Sequence, residues 1–246
     1  APGQRWLNVP DYVAYRLTGV QAAEISTASR TGLVDVPRRT WWDEALDFLG
    51  AGRWLLPGDL VPGGTPLGLT RPDVPPSLRG VHVATGGHDH PVAGLGVGAT
   101  ETGTLLFSLG TAEAQLRVAT PPLAPDVIAR IVGGGGTVDW HPLGDRLTVL
   151  GALPTGITLE RLAALLGYRS TADRLALSAA ALDAPEAPAG LRITDVTFDQ
   201  FTLRGVTDGL TPASIWRRAV DDLLQTSTAL MRRMDEALGP HHGTVG

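Results

Sequence analysis

Apolar and polar positions follow two rhythms along this chain, and each rhythm predicts its own set of elements. Asn8 caps a predicted helix with Pro10 in its first turn, Tyr12, Val13 and Leu17 as its apolar stripe, and Gly19 as its stop after Thr18. Trp41-Trp42 begins a short helix to about Leu49. Thr158 caps another, with Leu159, Leu162, Ala163 and Leu166 on the buried side and Gly167 at its end. Thr171 to Leu182 is an alanine-rich helix. The longest helix starts at Thr211-Pro212, carries Ile215, Ala219, Leu223, Leu230, Met234 and Leu238 on one face, and ends at Gly239-Pro240. Leu191–Val196 and Phe201–Val206 read as strands.

Other segments lack either rhythm. Ala22–Val36 is polar and rich in Ser and Thr, which predicts loops or short irregular pieces. From Leu55 to Pro76 prolines and glycines recur every few residues, which predicts a long connector over a surface. Within Ile128–Trp140 the run Gly133-Gly134-Gly135-Gly136 predicts a flexible turn between strands. Helices and strands mix without regular βαβ alternation, so the fold class is α/β or α+β rather than a barrel.

The stretch Val81–Thr111 organises the rest. Val81-His82-Val83-Ala84 alternates and predicts a strand that stops at Thr85-Gly86-Gly87. His88-Asp89-His90 follows, and Pro91 opens a small-residue helix from about Val92 to Ala99. A second strand, Gly103 to Ser108, ends in a Leu109-Gly110-Thr111 turn and continues into Ala112–Val118. A carboxylate at a strand end, facing a Gly-Thr turn between two strands, is the layout of a site that handles phosphate.

Composition narrows the chemistry. The chain has 246 residues, 43% hydrophobic and 18% charged, which suits one large or two modest globular domains. Its formal net charge is -5 with no basic run, which argues against a nucleic-acid surface. No apolar run reaches the length of a membrane span. There are no cysteines, so disulfides, thiolate metal sites and a Cys nucleophile are all excluded, and an intracellular, cytoplasmic enzyme is the compartment that fits. All 20 basic residues are Arg; without Lys, a Walker A loop and a Schiff-base lysine are excluded as well.

Each candidate residue has a bland role beside its chemical one. Asp89 suits a general base, and an Asp there also suits a helix cap. Gly110 and Thr111 offer backbone N–H groups and a hydroxyl to phosphate oxygens, or form an ordinary hairpin turn. His88 and His90 flank Asp89 and more naturally shape a pocket than bind metal, because a metal site needs a third ligand and His141 is the one in reserve. No metal is therefore assigned. Ser108 lacks the Gly-x-Ser-x-Gly pattern of an acyl-transfer nucleophile. Trp41, Trp42 and Trp54 can stack on a sugar face, although core packing is their commoner use.

Taken in order, these motifs resemble the FGGY carbohydrate kinases. Trp6-Leu7 and Pro10-Asp11-Tyr12-Val13-Ala14-Tyr15-Arg16-Leu17-Thr18-Gly19 are similar to a helix of that family's sugar-binding domain, and Ala28-Ser29-Arg30-Thr31-Gly32-Leu33-Val34-Asp35 to the segment after it. Gly86-Gly87-His88-Asp89-His90 resembles the strand-end motif that holds the catalytic base. Ser108-Leu109-Gly110-Thr111 resembles the phosphate-binding turn of the second domain, and Gly205, Gly209, Pro212 and Trp216-Arg217-Arg218-Ala219-Val220 the run into its long helix.

The resemblance implies a two-domain actin-like (ribonuclease H-like) ATPase fold present as a central portion. Residues 1–98 would be the end of the sugar-binding domain and residues 99–246 the start of the ATP-binding domain. It implies ATP-dependent phosphorylation of a sugar or polyol, with Asp89 as base, His88 and His90 at the substrate, Gly110 and Thr111 at the ATP phosphates, and Mg2+ carried on ATP. The family's opening strand–turn and its later adenosine loop have no counterpart here, so a middle portion of a longer kinase is expected. A homodimer is among the assemblies allowed. The competing expectations are a non-catalytic sugar-binding or scaffold protein and a metal-dependent hydrolase built on His88, Asp89 and His90.

Overall fold

Asn8 and Gly19 bracket the first helix where the sequence places them. In the computed structural model, which describes residues 5–245, α1 runs over Val9–Thr18, and Gly19 takes the left-handed φ of 81° while its N–H bonds to the Tyr15 carbonyl. The buried face differs from the expected stripe. Asp11 and Ala14 are buried, whereas Tyr12 and Val13 are exposed. Small Ala14 packs with Ala22 and Leu67 against Val61 and Val83, and Tyr12 instead accepts a hydrogen bond from Arg16 at the surface.

Ala22–Val36, expected as loops or short irregular pieces, is built of short elements and is largely buried. It contains β1 (Ala23–Glu24), α2 (Ile25–Ser29) and β2 (Val34–Asp35), the last antiparallel to β3 (Thr40–Trp41). Its hydroxyls make burial possible: Thr27, Ser29 and Thr31 donate to the carbonyls of Glu24, Ile25 and Ala28. Polar side chains that find partners locally can be buried like apolar ones, so composition misleads here.

After α3 (Asp43–Phe48), the expected connector also carries strands. β4 (Leu60–Val61) pairs parallel with β1, and β5 (Pro66–Leu69) pairs antiparallel with β6 (His82–Ala84) across an irregularity between Pro66 and Gly68. Short edge strands and bulges tolerate Pro and Gly, which is why this stretch lacks a strand signature. Next comes α4 (Asp89–Gly96), which starts before the expected Val92. Pro91 is its third residue, where a missing N–H costs nothing because first-turn N–H groups have no acceptor within the helix.

The larger sheet contains β7 (Thr104–Leu109) and β8 (Glu113–Ala119). After α5 (Pro125–Gly133) come β9 (Thr137–Trp140) and β10 (Leu147–Leu153). The glycine run thus links a helix to a strand, not two strands.

The remaining elements are α6 (Thr155–Leu165), α7 (Thr171–Leu182), β11 (Arg192–Thr194), β12 (Thr202–Arg204), α8 (Pro212–Leu238) and β13 (Gly243–Val245). The sheet order is β13-β7-β8-β10-β9, with β13 parallel to β7. Nothing in the residue pattern anticipates β13.

The chain forms two compact units. The first holds the described residues to Leu106 with Leu116–Leu150 and Pro240–Val245. Ala99, Leu106, Leu116, Val118 and Leu150 make one of its cores. The second holds Phe107–Gln115 and Gly151–Gly239. Its core joins α6, α7, β11 and α8 through Leu162, Ala163, Leu177, Leu191, Ile193, Ile215 and Ala219. α6 begins before the expected cap: Thr158 lies inside it, its hydroxyl donating to the Pro154 carbonyl. α7 and α8 run as predicted, each opened by a capping box, Ser170 with Asp173 and Thr211 with Ser214.

Candidate active site

Asp89 is the first residue of α4, and its side chain is 82% exposed. The cap position itself belongs to His88, whose side chain makes no capping bond, while Asp89, one residue further in, satisfies a first-turn N–H. Its Oδ1 accepts the His90 backbone N–H at 2.8 Å and faces His90 Nδ1 at 3.0 Å and His88 Nε2 at 3.5 Å. Partial burial works to raise the carboxyl's pKa, but the His90 hydrogen bonds and the neighbouring histidines outweigh it and hold the group below the usual aspartate range. Asp89 is therefore ionised at neutral pH and open to a ligand. His88 is half-buried, and burial holds its pKa below the ordinary histidine value against the pull of Asp89, so its ring is neutral.

The two imidazoles stack with centroids 5.8 Å apart. With Asp89 they place three ligand-type atoms within 4.8 Å of one another. His141 does not join that group. It is fully buried, its Nδ1 accepts the Leu143 N–H, and burial pushes its pKa down to about 4.

Residues to which the sequence motifs assigned no site role stand beside His88. A recess next to it is lined by Ser26, Arg30, Pro91, Asp139 and Trp140. Arg30 Nη1 bonds Asp139 Oδ2 at 3.0 Å, and Ser29 Oγ accepts the Trp140 N–H at 3.3 Å, so both ends of this arrangement fasten α2 to β9. No local signal marks these contacts, because they join residues 109 and 111 positions apart. Of the tryptophans weighed for stacking, Trp41 is buried and donates to the Pro57 carbonyl, as core packing requires. Trp42 and Trp54 are exposed, and Trp42 lines a cavity of about 840 Å3 with Val34, Ile128 and Val132.

In the second unit, Gly110 and Thr111 form the exposed tip between β7 and β8, with the Gly110 N–H bonded to the Ala112 carbonyl. The tip lies against the start of α6: the Ile157 N–H bonds the Thr111 carbonyl at 2.8 Å, and a Cβ on Gly156 would fall 2.0 Å from the Gly110 carbonyl oxygen. Only a glycine permits that approach. Directly behind the tip, buried Glu113 accepts hydrogen bonds from Thr155 Oγ1 (2.8 Å), Gln115 Nε2 (2.8 Å) and Ser227 Oγ (2.6 Å).

The backbone matches solved enzymes over nearly its full extent. A xyloylose kinase from Brucella ovis superposes with a TM-score of 0.80 at 18% identity, covering 98% of this chain and 50% of that one. The chain thus has the mixed α/β, actin-like ATPase fold of the sugar kinases. Residues 3–96 match the model of the FGGY family of carbohydrate kinases, N-terminal domain. Curated relatives include a xylulose kinase from Klebsiella pneumoniae, 31% identical over 68% of this chain and 35% of that protein, and a rhamnulokinase from Pectobacterium carotovorum, 35% identical over 54% of this chain and 26% of that protein. Over residues 3–96 the chain is thus similar to the N-terminal domain of the FGGY family of carbohydrate kinases. It spans about half the length of the solved structures and about a third or less of these curated relatives.

Proposed function

We propose that this chain is part of an ATP-dependent kinase that phosphorylates a hydroxyl of a sugar or polyol, with Asp89 as general base. The observation that carries the reading is Asp89 itself, an ionised, exposed carboxylate at the head of a helix, flanked by two histidines. In the reaction the substrate hydroxyl oxygen attacks the γ-phosphorus, the bond from phosphorus to the bridging oxygen of ADP breaks, and the hydroxyl proton passes to Asp89. Little covalent work falls to the protein, so a carboxylate of low basicity suffices. His88 and His90 shape the substrate side of this group, and the neutral His88 ring can hydrogen-bond a sugar hydroxyl.

Gly110 and Thr111 suit the ATP phosphates. The tip is exposed, offers backbone N–H groups and a hydroxyl, and abuts the start of α6, the helix end whose dipole favours anions. Mg2+ would enter with ATP and neutralise phosphate charge. Residues 1–98 are read as the end of a sugar-binding domain and residues 99–246 as the start of an ATP-binding domain. The family match over residues 3–96 supports that division.

The test is ADP release from MgATP across a panel of ketoses, polyols and sugar acids, with Asp89→Asn beside the wild type. Release with one substrate is expected, falling by about 100-fold or more in the variant while substrate binding survives. A folded Asp89→Asn protein that turns over at the wild-type rate would remove Asp89 from the chemistry.

A further inference from the structure

The helix that carries Asp89 is held at its entry by a residue from elsewhere in the chain. His88, in the cap position, adopts extended backbone angles (φ -65°, ψ 134°) and supplies no cap of its own. Gly86 and Gly87 precede it, so the incoming chain has little stiffness to set the helix direction. The His88 N–H donates instead to Ser26 Oγ at 2.8 Å.

Ser26 is itself directed. Its hydroxyl donates to Glu24 Oε2 at 2.6 Å, which uses its one proton and leaves a lone pair for His88. Glu24 is 1% exposed and also accepts the backbone N–H groups of Ser26 (3.0 Å) and Thr27 (2.9 Å), capping α2. The Glu24 N–H reaches buried Asp11 Oδ1 at 3.3 Å. Bonds to a carboxylate are stronger than neutral ones, and a chain of them polarises each member. The far end of α2 is tied to β9 through Ser29 and Arg30, so Ser26 acts from a fixed body rather than from a loop.

We propose that Glu24 and Ser26 are positioning residues for the transfer step. They fix the entry of α4 and with it the placement of the Asp89 carboxylate against the sugar hydroxyl. The inference rests on the reading of Asp89 as the base. Neither residue touches the reacting atoms. Among the described residues the Asp89 carboxylate meets His90 and His88, chain neighbours that move with it, so the bond from His88 to Ser26 is an external reference for its position. A catalytic group displaced by about 1 Å loses on the order of 100-fold in rate.

The experiment compares Ser26→Ala, Ser26→Thr and Asp89→Asn with the wild type. It measures kcat, KM for sugar and MgATP, direct sugar binding, and folding by circular dichroism. Ser26→Ala is expected to fold, to bind sugar and MgATP within about twofold of wild type, and to lose about 10- to 100-fold in kcat. Ser26→Thr, which keeps the hydroxyl, should recover most of that rate. Should Ser26→Ala fail to fold, Glu24→Gln replaces it with the same expectation, since it preserves volume while weakening the anchor.

A kcat within twofold of wild type in the folded Ala variant, beside an inactive Asp89→Asn, overturns the positioning role. So does a loss that falls on sugar affinity rather than on kcat. Full activity in Asp89→Asn would instead overturn the base assignment, so the two failures are distinguishable.

Discussion

Glu113 accepts the hydroxyl of Thr155 at 2.8 Å, which joins the strand that leaves the Gly110–Thr111 tip to the first residue of α6. The same carboxylate accepts Gln115 and Ser227, so one buried group ties strand, α6 and the long α8 together. Each of its partners would lose an acceptor if it were removed.

Glu113→Ala is therefore expected to lower stability by about 3 kcal/mol, because it strands buried donors as well as deleting their bonds. Urea unfolding at neutral pH measures this. The same variant should weaken MgATP binding more than sugar binding, since the tip and the α6 start lose their common tether. A loss below about 1 kcal/mol would show that the donors find other partners.

Gly156→Ala separates helix propensity from close packing. Inside a helix Ala normally gains up to about 1 kcal/mol over Gly. Here the new Cβ would meet the Gly110 carbonyl oxygen at 2.0 Å, backbone against side chain, with no flexible group to yield. The melting temperature is expected to fall rather than rise, with a net cost of about 1–3 kcal/mol, and MgATP affinity should drop with it.

Asp11 predicts a pH dependence of stability. Burial raises its pKa from 3.8 to about 6, assisted by the charge of Glu24 and opposed by the Glu24 N–H bond. A raised acid binds its proton more tightly in the folded state than in the unfolded one. Its favourable contribution is thus complete below about pH 4 and lost as pH rises through about 6. Relative to Asp11→Asn, the wild type should lose up to about 3 kcal/mol between those limits. Denaturation midpoints of the two proteins at pH 4.5 and 7 would show it, and parallel midpoints at both values would contradict the raised pKa.

Much of the second unit is legible from local pattern. α7 and α8 follow from their caps and apolar spacing, because Ser170, Thr211 and Gly239 act within a turn of the element they bound. The first unit is less legible. Its α2 reads as a loop or short irregular piece because Ser and Thr dominate it, and the pairing of their hydroxyls with carbonyls and with Glu24 is what lets it be a short buried helix. The expected apolar stripe of α1 failed for a related reason: the helix meets its neighbours through Ala14, leaving the larger Tyr12 and Val13 outside.

Sequence alone carried the resemblance to the family, placed the ends of α1, α7 and α8, and singled out Asp89, Gly110 and Thr111 as candidates. Those properties depend on residues a few positions apart, and local sterics and hydrogen bonding translate them directly. Tertiary structure decided what surrounds the motifs. The bond from His88 to Ser26 spans 62 positions and the bonds of Glu113 to Thr155 and Ser227 span 42 and 114, distances over which no residue pattern carries register. Such contacts form only when packing of the whole core brings the partners together, and a buried polar group gains from them only once water is excluded.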